Sequence, residues 1–551
     1  MTNLLPFQQL ARLCLKSGIK NIIICPGSRN AALTIAFTSE KGLKCYSISD
    51  ERSAAYIALG MSLQTSKTTA IICTSGTAAL NFAPAIAEAY FQEIPLLVLT
   101  ADRPPEWVHQ YDGQTIFQDQ LYGKHVKKAY TWPVEQKNSD IDFAAELSNQ
   151  AISLTQNQPK GPVHINIPIR EPFYPDVVEP LEKEWNIERY FDSKENPIHD
   201  FEDVLGKHSK RLLVIGQQNN ADVKKQARSF AERFGFVLVA DSIANTDDSI
   251  QNHDHFLKNL SQEEKRELIP DLLISTDMSL ISKSLKLLLR EGKIKEHWHI
   301  QNNPAFIDPF RSLTKKVEIE PFRFFNECSN YTPFSIDKAY SDSWLNRETQ
   351  SISKINSFFG TQEYSEFHVL KSLLERMSAD SIIHAGNSMS IRYINALQKY
   401  INQEIFVYCN RGTSGIDGSL STAVGQAINT DKTVYCILGD LSFQYDKNAL
   451  WNRYLPENLK IVVLNNAGGI IFSMIEGPRK QDSFDDFFRT HQPNKADLIA
   501  QEFGLNYLRI NNKAEAELNI TKFLTSKTKT VLEIFTDYNQ NESSFKSFFK
   551  T

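Results

Sequence analysis

The chain of 551 residues has no apolar run approaching the ~20 residues that span a bilayer. Its amino end, MTNLLPFQQLARLCLKSG, lacks a signal-peptide core and reads as an amphipathic helix. Cysteine is sparse and unpaired in pattern: Cys14, Cys25, Cys45, Cys73, Cys328, Cys409 and Cys436 are odd in number, scattered, and never in C-x-x-C spacing. That excludes a disulfide framework or a cysteine zinc site and fits a reducing compartment. Positive charge is not in excess either, with 60 Lys+Arg against 65 Asp+Glu and a formal charge of −5. No global basic field is present to recruit nucleic acid or an anionic membrane, so an anionic ligand must be held by locally placed arginines. There is no short-period repeat and no low-complexity segment. The expectation from these absences is a cytoplasmic protein that neither binds nucleic acid nor inserts into a membrane.

What is present is ordinary folding composition, 41% hydrophobic and 23% charged, in a chain long enough for about three domains. Short, β-branched apolar runs recur and mostly end in glycine-rich or polar turns: NIIICPGS, TTAIICTSGT, IPLLVLTADRPP, RLLVIGQQN, FVLVADS, DLLISTD, SIIHAGNS, EIFVYCNRG, TVYCILGD and KIVVLNNAGG. Alternating with helical stretches such as AALNFAPAIAEAYFQ, they predict an α/β protein of three doubly wound parallel-sheet modules. Expected boundaries are 1–180, 200–333 and 350–551, with a charged linker from Pro175 to Asp200 and a polar connection at NYTPFSIDKAYSDSW. In such sheets ligands sit outside the carboxyl ends of the strands, which is where the unusual residues collect.

Gly439-Asp440-Leu441-Ser442 follows one apolar run, and Asn465-Asn466-Ala467-Gly468-Gly469 follows the next. An Asp and an Asn on consecutive strand ends can offer two hard oxygen ligands to one Mg²⁺, with a diphosphate and water completing the octahedron. Taken alone, either pair reads first as turn residues after buried strands. Glu51, in SISDERSAAYIALGMSL, stands where a strand gives way to a helix. By itself it reads as a helix-start acid favoured by the macrodipole.

Arginines stand at four further strand ends: Arg29 in CPGSRNAALT, Arg103 in LTADRPPEW, Arg392 in GNSMSIRYIN and Arg411 in CNRGTSGIDG. Guanidinium forks suit bidentate capture of carboxylates, so four near one cleft would imply polyanionic substrates.

The spacing of the Gly-Asp and Asn-Asn turns resembles the thiamine diphosphate motif. The segments PGSRN, DERSA, TSGTA, TADRPPE, GQTI, NSMSIR, NRGTSGID, GDLS and NNAGGIIF together resemble the 2-succinyl-5-enolpyruvyl-6-hydroxy-3-cyclohexene-1-carboxylate synthases of menaquinone synthesis, over essentially the whole chain. Leu441, unusual for the superfamily, is expected in that family. The resemblance implies that Asp440, Asn466 and the carbonyl of Gly468 hold Mg²⁺ or Mn²⁺. It implies that Ser414, Gly415, Ile416, Gly439, Leu441 and Ser442 also contact thiamine diphosphate, Ile416 being the apolar wedge that bends the cofactor. Glu51 would be the essential carboxylate near N1′ of the aminopyrimidine.

By the same resemblance Ser28, Arg29, Arg103, Gln114, Ser388, Arg392 and Arg411 line the substrate site, with Ile471 and Phe472 as its apolar wall. Lys283, in TDMSLISKSL, matches a substrate-contacting lysine, although Ser284 stands where some members carry arginine. The implied reaction decarboxylates 2-oxoglutarate and adds the succinyl carbanion equivalent to isochorismate in 1,4 fashion. A cofactor held between subunits implies a homodimer at minimum, with pairing of dimers into a homotetramer left open. Two other readings stay in play: another thiamine diphosphate lyase or acetohydroxyacid synthase, and a non-catalytic nucleotide-binding α/β protein. The absence of a His-His pair counts against a pyruvate decarboxylase type, and intact Glu51, Asp440 and Asn466 count against the non-catalytic reading.

Overall fold

A computed structural model of the chain describes residues 4–134, 138–171, 198, 200–246, 248–333, 338–360, 363–475 and 477–550. Its framework is three parallel sheets flanked by helices, as the recurring apolar runs predict. The chain divides into two compact units.

The first unit comprises Met1–Asp192, Asn410–Val434 and Ser442–Leu459. Its six-stranded sheet runs, in spatial order, Lys44–Ser47, Asn21–Ile24, Thr69–Cys73, Leu96–Asp102, Val163–Pro168 and Ala129–Thr131, every pairing parallel. The central strands Thr69–Cys73 and Leu96–Asp102 are buried along their whole length, which is why they read as continuous apolar runs rather than alternating ones. The stretch AALNFAPAIAEAYFQ is two helices, Thr77–Asn81 and Ala83–Phe91, because Pro84 can be accommodated only in the first turn of a new helix.

Helix Glu51–Thr65 packs directly on helix Ser419–Ile428. A Cβ at Gly60 would lie 2.0 Å from the carbonyl oxygen of Thr422, and one at Gly425 would lie 2.0 Å from that of Ile57. Two reciprocally placed glycines therefore let the backbones touch, and a side chain at either would force the helices apart.

The second unit comprises Ser193–Cys409, Tyr435–Leu441 and Lys460–Thr551. It is built on a five-stranded sheet, Lys315–Val317, Glu296–Ile300, Leu272–Thr276, Arg211–Ile215 and Val237–Ala240. The third sheet runs Phe406–Cys409, Ser381–Ala385, Thr433–Gly439, Leu459–Asn465, Thr530–Phe535 and Asn506–Ile510.

The linker expected over Pro175–Asp200 falls almost wholly outside the described residues. In the second polar connection, NYTPFSIDKAYSDSW, the part from Lys338 on begins a 22-residue helix, Lys338–Phe359. Tyr340 and Trp344, four residues apart and so on one helical face, bury beside Phe256, Leu285 and Leu289; polar neighbours had hidden these two anchors.

Candidate active site

Asp440 and Asn466 sit at the carboxyl ends of strands Thr433–Gly439 and Leu459–Asn465, where the parallel topology places ligand-binding groups. Both are buried, at 3% and 6% exposure. The Asp440 carboxylate accepts from the backbone N–H of Leu441 (2.7 Å) and of Gly468 (3.0 Å), so the two turns are tied together through it. Gly468 in turn lies against the segment of Arg489, whose carbonyl oxygen a Cβ there would meet at 2.9 Å. Burial, with the charge of Glu533 adding to it, pushes the Asp440 carboxyl up to about 7.

Asn466 donates through Nδ2 to Oε1 of the buried Glu366 (2.8 Å), while its Oδ1 is buried with no hydrogen-bond partner among the described residues. Burial likewise pushes Glu366 up to about 7. A buried carboxylate short of positive charge, beside a buried amide oxygen short of a partner, suits a hard divalent cation. Among the described residues no cluster of three or more His, Cys, Asp or Glu could hold a metal. One carboxylate, one amide and one carbonyl would then need ligand oxygens, such as a diphosphate's, to complete a shell.

In the first unit Glu51 opens its helix behind Asp50, whose side chain caps the backbone N–H of Ser53 and accepts from Asn448 Nδ2 (2.7 Å). Arg52 donates to the Tyr445 carbonyl (2.7 Å) and lies over the Tyr445 ring. The Glu51 side chain is half-buried at the carboxyl ends of the first sheet, near Cys25 and Cys73. Burial raises both thiols well above the usual range, and the charge of Glu51 adds to it.

Ile416 is half-buried, and its carbonyl accepts from Ser442 Oγ (2.9 Å). Nearby, Ser414 adopts a left-handed backbone conformation at φ 63°, Gly415 is half-buried, and Asp417 accepts from the Tyr56 hydroxyl (3.0 Å). Gly439 and Leu441 flank Asp440 and are half-buried.

Arg411 begins the same loop and is half-buried. The loop is held by Glu88, which is fully buried on helix Ala83–Phe91 and accepts from the backbone N–H groups of Gly412 and Thr413, 2.7 Å each.

Arg29 and Arg103 stand together at the ends of strands Asn21–Ile24 and Leu96–Asp102. Arg29, 5% exposed, donates to the Ile169 carbonyl (2.9 Å) and faces Glu171 at 3.6 Å. Arg103 pairs with Asp112 at 2.7 Å and donates to the Gly113 carbonyl. Burial and the neighbouring Arg103 charge lower the Arg29 pKa. Ser28 is exposed on the turn before Arg29. Gln114, also exposed and at φ 56°, closes over Gly76 on the loop that Arg103 holds.

The second unit contains a cavity of about 550 Å³ that brings together Lys283, Arg392 and Ile471. Lys283 is the exposed first residue of helix Lys283–Glu291, capped by Ser282, and Arg392 lies on helix Met389–Ala396 and donates to the Ser388 carbonyl. Ser388, at φ 70°, is the residue on which that helix starts. Phe472 does not line this cavity; it is 36% exposed and packs edge-on against Phe488.

Residue-by-residue reading missed Lys258, His255 and Asn252, which add polar groups to the cavity, and Phe545, Phe548 and Phe549, which add to its apolar wall. The aromatic cluster near the carboxyl terminus was a visible signal without an assignable role. Glu366 and Glu88 carried no local signal at all, because each acts on a loop far away in sequence.

Three family models match in sequence order: the N-terminal thiamine pyrophosphate-binding domain of thiamine pyrophosphate enzymes over residues 7–125, the middle domain over 182–384, and the C-terminal thiamine pyrophosphate-binding domain over 387–534. Relatives named 2-succinyl-5-enolpyruvyl-6-hydroxy-3-cyclohexene-1-carboxylate synthase are similar from end to end. The protein from Cytophaga hutchinsonii is 39% identical over 98% of both chains, and that from Flavobacterium johnsoniae 37% over 98% of both. The protein from Bacteroides thetaiotaomicron is 36% identical over 98% of this chain and 97% of its own. With all three modules matched and identity sustained over nearly the full length, the chain belongs to the thiamine diphosphate-dependent family of 2-succinyl-5-enolpyruvyl-6-hydroxy-3-cyclohexene-1-carboxylate synthases.

Proposed function

We propose that the chain decarboxylates 2-oxoglutarate and adds the resulting succinyl carbanion equivalent to isochorismate in 1,4 fashion, giving 2-succinyl-5-enolpyruvyl-6-hydroxy-3-cyclohexene-1-carboxylate and CO2 in menaquinone biosynthesis. The observation that carries this reading is the cavity in which Lys283, Arg392 and Ile471, more than a hundred residues apart at their extremes, combine cations with an apolar wall beside a single acid, Asp254. Such a lining suits a short dicarboxylate, whose charged ends need guanidinium or ammonium partners while its methylenes rest on hydrocarbon.

Thiamine diphosphate, when bound, supplies the electron sink that decarboxylation requires. Asp440, Asn466 and the Gly468 carbonyl would hold its Mg²⁺ or Mn²⁺, and Glu51 would share a proton with its aminopyrimidine. Arg392, and with it Arg411, would orient the 2-oxoglutarate carboxylates. Arg29 and Arg103, which face Glu171 and Asp112, would hold those of isochorismate. Ser28, Gln114, Ser388, Lys283, Ile471 and Phe472 complete the proposed substrate contacts, and Ser414, Gly415, Ile416, Gly439, Leu441 and Ser442 the cofactor contacts.

We place the enzyme in the cytoplasm as a homodimer at minimum. None of the seven cysteines is in a disulfide, and six are buried, in keeping with a reducing compartment. Incubation with 2-oxoglutarate, isochorismate, Mg²⁺ and thiamine diphosphate, followed by mass identification of the product, tests the reading. Release of CO2 from pyruvate with no adduct to isochorismate would replace it with a different lyase.

A further inference from the structure

Glu366 is the first residue of helix Glu366–Leu374 and has no exposed surface. Its Oε1 accepts from Asn466 Nδ2 at 2.8 Å and lies 3.4 Å from Thr536 Oγ1, while its own backbone N–H donates to Asn541 Oδ1 at 3.0 Å. Side chain and backbone are therefore both anchored, and the carboxylate cannot swing away without breaking its contacts to two other segments. Burying a carboxylate whose side-chain hydrogen-bond partners are a neutral amide and a hydroxyl is costly. A role beyond packing is called for.

The role follows from what the contact does to Asn466. An asparagine amide is nearly symmetric in shape, and a half-turn exchanges its donor NH₂ with its acceptor oxygen at little cost unless the hydrogen bonds decide between them. Glu366 Oε1 accepts from Nδ2 at 2.8 Å, so the amide is held with its NH₂ edge toward Glu366. Oδ1 is thereby directed the other way, where it is buried and has no hydrogen-bond partner among the described residues. Asp440, tied by its own hydrogen bond to the Gly468 N–H two residues beyond Asn466, lies close enough for its charge to act on Glu366. We propose that Glu366 is a positioning residue that locks the Asn466 amide with its oxygen presented as a metal ligand, and thereby sets the affinity of the site for its divalent cation. The inference rests on the family reading of Asp440 and Asn466 as ligands. It adds a residue that touches neither the metal nor the substrate but orients a group that does, as outer-shell carboxylates commonly do.

The test uses the full-length protein and Mn²⁺ binding, followed by the electron spin resonance signal of free Mn²⁺ with thiamine diphosphate present. Glu366→Leu removes the acceptor and should weaken Mn²⁺ binding by about 10- to 100-fold. Glu366→Gln can turn either its oxygen or its NH₂ toward Asn466, so the lock is weakened and Mn²⁺ binding should fall by an intermediate amount, several-fold or more. A purely structural acid would instead lower the melting temperature of the metal-free protein while leaving Mn²⁺ affinity alone. If Glu366→Leu does not fold, Glu366→Gln decides. Parent-like Mn²⁺ affinity in every folded Glu366 variant would overturn the role. A parent protein that binds no Mn²⁺ with thiamine diphosphate would overturn the ligand assignment itself, a distinct result.

Discussion

His253 Nε2 lies 3.3 Å from Asp241 Oδ1, with both side chains fully buried. The same carboxylate accepts from the backbone N–H groups of Ile281 and Ser282 and from Asn395 Nδ2 (3.1 Å). Asp241 thus ties the turn preceding Lys283 to the helix that carries Arg392, and so braces two cationic sides of one cavity.

A pH dependence of stability follows. Burial opposes charge on His253, but Asp241 outweighs it, with Asp254 and the nearby Glu348 of the same sign, and the imidazole is raised to about 9. Burial also opposes charge on Asp241, whose pKa is nevertheless lowered by His253 and the backbone donors. A histidine raised from 6.5 stabilises fully below its unfolded value, and that contribution is lost as pH rises through about 9. The loss should be on the order of 3 kcal/mol, at ~1.4 kcal/mol per pKa unit. Urea unfolding between about pH 7 and pH 10 measures it, and His253→Gln should flatten the profile. A parent profile already flat over that range would contradict the charged pair.

Glu51→Gln should preserve the fold, because the helix keeps its Asp50 cap, and should preserve much of the cofactor affinity. It should abolish most turnover, since an amide cannot share the aminopyrimidine proton. Steady-state turnover beside calorimetric cofactor binding separates the two effects, and parent-like turnover would remove Glu51 from catalysis.

Asp440→Ala should weaken thiamine diphosphate binding strongly when Mg²⁺ is present and hardly at all when it is chelated. The variant deletes an anionic ligand and frees the Leu441 and Gly468 N–H groups that the carboxylate holds. Titration calorimetry with and without chelator reads the difference. Equal affinities in parent and variant under both conditions would reduce the two turns to ordinary connections.

Arg29→Ala and Arg392→Ala should separate the half-reactions. Arg29 is almost wholly buried, and removing a buried partner of a carboxylate costs on the order of 2–5 kcal/mol. Its loss should raise KM for isochorismate while sparing CO2 release from 2-oxoglutarate, whereas loss of Arg392 should impair that release. Assays of CO2 without isochorismate, beside full product formation, distinguish the steps. Equal damage to both steps in both variants, with normal cofactor binding, would reject the division of labour.

Much of this protein was legible from local pattern alone. The ten apolar runs, NIIICPGS through KIVVLNNAGG, are all strands, because a parallel strand covered on both faces is mostly apolar along its length. Asp440, Asn466, Glu51 and the four arginines stood out because they lie in the polar turns and helix starts that follow such runs. Edge strands such as Asn506–Ile510 escaped notice, since a strand exposed on one side carries mixed polarity.

Only the tertiary structure decided which of those residues share a site. Lys283 and Arg392 meet Ile471, Lys258 and the carboxyl-terminal phenylalanines in one cavity through contacts between segments hundreds of residues apart. Glu366 is bound to Asn466, one hundred positions on, and Asp241 to Asn395. A local window registers how apolar a segment is and where it turns. It holds no information about which acceptor a buried amide will face, because that depends on how the strand crossovers bring distant segments together.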